Sequence, residues 1–356
     1  MPGRVTLHDV ARRAHCSVAT VSRVLNDTGP ASAEVRERVT RAVRELGFRF
    51  NEIGRSLQSR RSRTLGILVP TLSNPVFAAV IEGAQTAARA RGYQLLLACA
   101  NYRPEEEASA IETLLAKQVD GLLLTLSDAD DSAELALLQR DALPFVLLFN
   151  QPSGALPAVT VDNRAAAQQV ARTLLAAGHR DVAYVAGRFR SSDRSVRRYE
   201  GFAEAYRQAG AAVPSLVEVD YGSIDHRAAL AALLTKRPGT TALFCSNDML
   251  ALAVAGALRR LGKRVPDDIS LVGFDGIAVA ALVSPSLATV VTPSHAMGAR
   301  AADRLVEAIE GDRQPSAESL LLPFEFRPGE SLAPRPGWNR PAETATPPVS
   351  PVPQAR

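Results

Sequence analysis

The sequence predicts an α/β protein: an N-terminal three-helix unit, followed by two doubly wound parallel-sheet lobes. Three observations predict it. Apolar residues recur at helical spacing in three short segments between residues 6 and 46. Beyond residue 64, near-continuous apolar runs alternate with helical stretches, the pattern of parallel sheets covered on both faces. Charge is divided unevenly. Residues 1–63 hold 13 Arg and 6 acidic residues, giving +7 and leaving −3 for the other 293 residues of a chain with net charge +4. A small basic module on a slightly acidic body is an electrostatic footprint of nucleic-acid binding. A solvated basic face would explain the charge alone equally well.

The first segment starts at Thr6, which can N-cap a helix, with Asp9 three residues on as in a capping box. Leu7, Val10, Ala11 and Ala14 form its apolar stripe. His15 and Cys16 make a tight turn, and Ser17 can cap a second helix that buries Val21, Val24 and Leu25. Two helices joined by a short turn form the helix-turn-helix pattern, whose second helix enters a DNA major groove N-terminus first. An ordinary helical hairpin is the plain alternative. A third helix is expected from a Ser32 cap to Leu46, ended by Gly47, with Phe48 packed on the small core.

The run Thr6-Leu7-His8-Asp9-Val10-Ala11, then Ser17-Val18-Ala19-Thr20-Val21-Ser22-Arg23-Val24-Leu25-Asn26, resembles the headpiece of the lac repressor / galactose repressor (LacI/GalR) family of transcription regulators. The resemblance implies that Val18 and Ala19 face base edges. Both are short and apolar, suited to a thymine methyl and unable to make bidentate hydrogen bonds. Arg23, about a turn further on, is suited to guanine or phosphate. Thr6, Ser17, Thr20, Ser22 and Asn26 are suited to phosphate; each alone could equally be a cap or a solvent-facing residue. The resemblance also makes residues 51–63 a hinge helix and linker, with Leu57 as a minor-groove wedge. Three positions depart from the family: His15 where Gly is usual, Phe50 where Pro is usual, and Gly54 where Ala is usual. Gly costs roughly 0.5–1 kcal/mol in a helix, so this hinge is expected to depend more on DNA and on a dimer mate for its order.

In the body, strands are expected at 65–69, 93–98, 121–125, 145–148 and 158–161, then at 183–186, 216–219, 242–245 and 269–273. Two such sheets resemble the type I periplasmic-binding-protein-like fold of the same family. There the chain passes between lobes three times, here expected near Asp162, near 290–292 and near 319–322. This gives a headpiece at 1–50 and a two-lobed effector and dimerisation domain at 64–330. Lobe 1 would hold about 64–162 and 292–318, and lobe 2 about 163–290 and 319–330. Residues 334–356 contain seven Pro, so 331–356 are expected to form a disordered tail. The tail has no leucine heptads, so a homodimer is expected.

Composition is ordinary for a soluble protein, with 46% hydrophobic and 22% charged residues. No apolar run is long enough for a membrane span, and no secretory h-region opens the chain, so a cytoplasmic location is expected. Cys16, Cys99 and Cys245 are widely spaced, which argues against a disulfide framework or a zinc site. No Gly-x-Gly-x-x-Gly follows a strand, there is no P-loop, and the five His form no triad or metal motif; no cofactor or metal is expected.

Ligands of such sheets bind at the carboxyl ends of strands. Loops at those positions match the family's ligand positions: Asn74 and Phe77 after the first strand, Asp162 at the first crossing, and Arg198 in Arg198-Tyr199-Glu200-Gly201-Phe202. Asn247 and Asp248 lie in Ser246-Asn247-Asp248, and Asp275 in Gly273-Phe274-Asp275. Each has a plain alternative as cap, core or turn residue. Arg188, Arg190, Arg194, Arg197 and Arg198 crowd one loop and helix start, suited to an acidic sugar or to solvent. The expected function is a DNA-binding regulator, a repressor rather than an activator. It would bind a pseudo-palindromic operator, with a carbohydrate effector between the lobes and no enzymatic activity. The alternatives are a sugar-binding protein of a transport system, which the basic headpiece disfavours, and a cytosolic enzyme on the same two-lobed fold.

Overall fold

The computed structural model describes residues 5–26, 29–48 and 61–335, with the backbone alone for Asn26. It forms two compact units, Met1–Ser62 and Arg63–Arg356. The expected hinge, with Leu57, Gly54 and Phe50, lies outside the described residues. No helix of the described residues is long and apolar enough to cross a membrane.

The first unit contains α1 (Leu7–Ala14), α2 (Val18–Asn26) and α3 (Ala33–Leu46). Thr6 and Asp9 close a full capping box: the Thr6 amide and hydroxyl both donate to Asp9 Oδ2, at 2.9 and 2.7 Å. The turn succeeds without Gly because His15 adopts the left-handed conformation, φ 51° and ψ 50°. Val10, Ala11, Ala14, Val21, Val39 and Ala42 form the core, and Phe48 packs on its edge.

The second unit holds β1 (Thr64–Val69), α4 (Pro75–Ala90), β2 (Gln94–Cys99), α5 (Pro104–Ala116), β3 (Gly121–Leu124), α6 (Ala133–Arg140), β4 (Phe145–Leu148) and β5 (Ala158–Val161). Then come α7 (Asn163–Ala176), β6 (Val182–Gly187), α8 (Asp193–Gln208), β7 (Ser215–Val219), α9 (Arg227–Lys236), β8 (Ala242–Cys245), α10 (Asp248–Arg260) and β9 (Ser270–Asp275). The chain continues through β10 (Ala288–Val291), α11 (Ser294–Glu310), β11 (Leu320–Leu322) and β12 (Glu325–Arg327). The first sheet runs β11-β5-β4-β3-β1-β2 and is parallel throughout. The second runs β12-β10-β9-β8-β6-β7 and is parallel except for β12, which pairs antiparallel with β10. The central strands β3, β4 and β8 are buried along their whole length, as apolar runs covered by helices on both faces must be.

Two of the expected crossing segments are themselves strands. Residues 288–291 form β10 and 320–322 form β11. Because β11 joins the first sheet beside β5, lobe 1 extends to Leu322, and the third passage falls at Pro323-Phe324 rather than at 318/319. The other two passages lie at Asp162 and at Thr292-Pro293. After the second passage α11 lies against α4. A Cβ on Gly83 would sit 1.9 Å from the His295 carbonyl oxygen, and one on Gly298 1.9 Å from that of Val80. Only glycine lets these two backbones approach so closely.

The tail also starts later than expected. Residues 331–335 strap the second lobe. Ser331 Oγ donates to the Leu271 carbonyl at 2.6 Å and accepts from the Ala288 amide at 2.9 Å. The Arg335 amide reaches the Ala177 carbonyl at 2.9 Å, and buried His179 bridges Thr241 and the Ala333 carbonyl. Proline content marked this stretch as a tail, but its serine and backbone groups find partners along β9 and β10.

Candidate functional site

In the headpiece, Ser17 Oγ accepts the Thr20 amide at 3.1 Å and lies 2.9 Å from Thr20 Oγ1, so both hydroxyls help start α2. Ala19 and Arg23 are exposed and, four residues apart, share one helix face. The Arg23 stem lies over Gly29. Val18 is only half available, because part of its side chain packs on the headpiece core. Thr6 is exposed, but its hydroxyl already donates to Asp9. Ser22 is half-buried, and the side chain of Asn26 lies outside the described residues.

In the second unit a narrow cleft, with an enclosed volume of about 20 Å³, lies at the carboxyl ends of the strands of both lobes. Five residues singled out by sequence line it: Asn74, Phe77, Arg198, Asn247 and Asp275. Asn74 does two jobs. Its Oδ1 accepts the Val76 amide at 3.2 Å and caps α4, while its Nδ2 donates to Asp275 Oδ2 at 3.2 Å, from lobe 1 to lobe 2. Asp275 ends β9 with φ 116°, an uncommon conformation for a residue with a side chain. Burial pushes its carboxyl up to about 6, against the pull of Arg198. Asn247 caps α10 through the Leu250 amide at 2.8 Å.

Arg198 is buried on α8 with its guanidinium carbon 3.5 Å from the centre of the Phe274 ring. Nε donates to Asn163 Oδ1 at 2.8 Å and Nη1 to the Ser246 carbonyl. These partners hold the planar head side-on and leave Nη2 without a partner among the described residues. Burial lowers its affinity for the proton, and the negative charge of Asp275 restores part of it.

The structure separates two residues from this set. Asp248 was expected to bind ligand hydroxyls, but it does not line the cleft. It is fully buried, with Oδ1 taken by Thr289 Oγ1 at 2.6 Å and Oδ2 by the amides of Gly276 and Ile277 at 2.8 and 2.9 Å. Its carboxylate shapes the loop that carries Asp275. Burial and the charge of Asp275 push its carboxyl up to about 7, against those three donors. Asp162 likewise stays outside the cleft wall and caps α7 through the Ala165 amide at 2.9 Å.

The arginine cluster divides by depth. Arg194 and Arg198 are buried in the cleft wall, whereas Arg188 and Arg190 are exposed at a neighbouring cavity. Arg194 Nη1 donates to the Leu126 carbonyl of lobe 1 at 2.7 Å and pairs with Asp193. Arg197 reaches Asp130 and Ser153 on lobe 1. Asn150 donates to Asp193 at 2.7 Å, and the Asp193 amide donates to the Ser127 carbonyl. The start of α8 is thus latched onto the ends of β3 and β4.

Sequence reading missed Val76, Tyr102, Phe149, Ser192, Ser195, Tyr221 and Ser246 as wall residues. Arg194 stood in the noted arginine cluster, and of the missed polar residues only Ser246, in the Ser-Asn-Asp run, carried a local signal. Phe77 meets Phe149 edge-on at 5.3 Å, and Tyr221 donates to or accepts from Ser246 Oγ at 2.7 Å. The wall therefore combines aromatic rings with amide, hydroxyl, guanidinium and carboxylate groups, apolar surface with a few placed polar groups as in small-molecule sites generally.

Comparison with known proteins agrees with both units. A model of bacterial regulatory proteins of the lacI family matches residues 6–51, and one of periplasmic binding proteins and the sugar-binding domain of the LacI family matches residues 62–327. The HTH-type transcriptional regulator GntR of Escherichia coli (strain K12) is 35% identical over 333 residues, covering 92% of this chain and 99% of its own. Among solved structures, a transcriptional regulator CelR–cellobiose complex matches at 32% identity with TM-score 0.66, covering 92% of this chain and all of its own. The lac repressor dimer bound to operator and the anti-inducer ONPF matches at 25% identity with TM-score 0.81, covering 93% and 100%. Headpiece, body and relatives converge: the chain belongs to the LacI family of DNA-binding transcription regulators.

Proposed function

We propose that this chain is a repressor that binds a pseudo-palindromic operator as a homodimer, with an affinity set by a small carbohydrate held between its two lobes. The Asn74–Asp275 hydrogen bond carries the reading. A ligand in the cleft that bonds either partner competes with, or braces, a contact between the lobes. It therefore has the differential affinity for two lobe arrangements that regulation requires. Arg198, Asn247, Asp275 and Phe77 are the residues we assign to the effector, with Asn74 linking it to lobe 1. Arg23, Ala19 and Val18 are assigned to base edges, and Ser17, Thr20, Ser22, Asn26 and Thr6 to phosphate. Leu57 is assigned to the minor groove by family position alone.

Binding rather than turnover is supported by the carboxylates at the cleft. Asp275, in its wall, is engaged by Asn74, and Asp248 lies behind the wall and is taken by Thr289 and two amides, so among the described residues no pair of carboxylates faces the ligand. Dimerisation is supported by an apolar groove on lobe 2 lined by Leu252, Ala255, Gly256 and Val283, beside Leu282 at 82% exposed. A DNA-binding role supports a cytoplasmic location. The test selects bound duplexes from random DNA, then titrates the winner by fluorescence anisotropy with and without a panel of monosaccharides and sugar acids. A selected palindrome whose affinity changes with one sugar supports the reading. Failure to enrich any sequence, or affinity indifferent to the whole panel, overturns it.

A further inference from the structure

Among the described residues, the charged groups in the cleft wall are two guanidiniums, Arg194 and Arg198, and one carboxylate, Asp275. Arg194 and Arg198 stand four residues apart on α8, so their side chains leave one face of the helix a turn apart. Each is more than nine-tenths buried, at 5% and 6% exposed, so neither is a solvated surface arginine.

Each guanidinium is anchored by some of its N–H groups and keeps others. Arg194 Nη1 donates to the Leu126 carbonyl and to Asp193 Oδ1, at 2.7 and 3.3 Å, while Nε and Nη2 have no partner among the described residues. Arg198 is anchored by Nε and Nη1 and keeps Nη2. A guanidinium offers donors only, so these groups call for an acceptor. The start of α8 adds to them. Ser192 and Ser195 line the same wall, with Ser192 Oγ accepting the Ser195 amide at 3.3 Å, so the positive end of the helix dipole also meets the cleft. The opposing charges are engaged elsewhere. Asp275 accepts from Asn74. Asp193 and Glu107 also act on Arg194, but neither lines the cleft. Asp193 accepts from Asn150 and Arg194, and Glu107 from the Ser127 amide.

We propose that Arg194 and Arg198, with the first turn of α8, form a subsite for an anionic group on the effector, a carboxylate or a phosphate carried by a sugar. A neutral hydroxyl there leaves two desolvated like charges side by side. An anion accepts charge-assisted bonds from both and offsets their repulsion. Hydroxyls of the same ligand fall to Asn247 and Asp275. The cleft encloses only about 20 Å³, so the ligand enters as the lobes part. Parting draws Arg194 Nη1 off the Leu126 carbonyl of lobe 1, and the anion takes the place of that carbonyl. Leu126 keeps Asn150 Nδ2 at 2.9 Å, so the exchange strands no buried acceptor. The proposal rests on the reading of this cleft as the effector site and names the charge of the ligand it takes.

The test is calorimetric titration of the full chain, at one pH and ionic strength, with aldohexoses, their aldonic and uronic acids, and their phosphates. Wild type is set beside Arg194→Gln, Arg194→Lys and Arg190→Gln. At least one acid or phosphate should bind the wild type roughly tenfold or more tighter than its neutral parent, and the separate arms tell a carboxylate from a phosphate. Arg194→Gln should lose that preference. Arg194→Lys keeps the charge without the fork and should retain part of it. Arg190→Gln, exposed outside the inner cleft, should keep all of it. Operator binding without sugar, read by anisotropy, reports that each variant is folded; should Arg194→Gln fail it, Arg194→Lys carries the comparison. A neutral sugar that binds tighter than its acid and phosphate forms overturns the proposal. So does a variant at Arg194 that weakens neutral and anionic ligands alike, as lost contact between lobes alone would do. In both of those outcomes the effector site stands. If no compound binds or changes DNA affinity, the effector reading falls and the subsite with it.

Discussion

Asn74 donates its side-chain amide to Asp275 across the interlobe cleft while its carbonyl caps the helix that begins one residue later. One short side chain thus couples the start of α4 to the end of β9. The two roles can be parted by mutation. Asn74→Ser keeps a capping oxygen and loses the reach to Asp275. Asn74→Ala loses both and should cost about 0.5–2 kcal/mol for the cap alone. We expect thermal stability near wild type for Ser and a drop for Ala, with the lobes freed to open in both, read as a larger radius of gyration in solution scattering. Unchanged scattering for both variants would show that the bond does not hold the lobes.

Arg23 should matter to DNA and to nothing else. It is exposed on α2. Arg23→Ala should weaken operator binding by about 1–3 kcal/mol, roughly five- to 150-fold, at an unchanged melting temperature. A gel-shift titration beside a melting curve checks both halves, and unaltered affinity would remove Arg23 from the interface.

Arg198 should behave in the opposite way. Arg198→Ala strands Asn163 Oδ1 and the Ser246 carbonyl, both buried, so a stability loss of about 2–4 kcal/mol is expected along with loss of every sugar-induced shift. Lysine cannot serve both acceptors with one ammonium and should recover little. DNA binding by Arg198→Lys without sugar, measured by anisotropy, should survive.

Glu107 sets a pH dependence. It is buried in lobe 1, accepts the Ser127 amide at 2.7 Å, and burial pushes its carboxyl up to about 7 from an ordinary 4.5. The unfolded chain ionises it from about 4.5 upward while the folded chain resists. Its contribution to stability is therefore fully present below about 4.5 and is lost as pH rises to about 7. Relative to Glu107→Gln, the wild type should lose on the order of 1–3 kcal/mol between those limits and change no further above them. Urea unfolding of both proteins at pH 5, 6, 7 and 8, on the order of unit steps, gives the comparison; a constant gap would refute it.

Leu282 is 82% exposed beside the lobe 2 groove. Leu282→Glu places a charge where a second copy would bury a leucine, so sedimentation should shift from dimer to monomer and operator affinity should fall with it. A variant that sediments like the wild type would move the interface elsewhere.

Much of this was legible in the residues. Apolar runs such as those at 121–124 and 145–148 marked central strands, because a strand buried on both faces leaves no room for alternation. Thr6 and Asp9 marked the first helix because a capping box is local chemistry. What was missed depends on distance in sequence. Tyr102, Phe149 and Tyr221 are lone aromatics in loops, brought together only when two lobes meet. The strands at 320–322 and 325–327 are too short to show a period. Asp248 and Asp162 sit where either a ligand or a helix could use a carboxylate. In Asp162 the adjacent helix start won, and in Asp248 the loop at 276–277 did.

The two last strands, two residues apart in the chain, edge two different sheets. Neither lobe is therefore a continuous stretch of polypeptide, and neither sheet is whole until residues 320–327 have been made. During synthesis the ribosome releases headpiece residues long before it supplies the strands that complete the body. A message cut short just before residue 320 would strip an edge from both lobes at once. It would leave behind a DNA-binding segment attached to a body unable to finish folding.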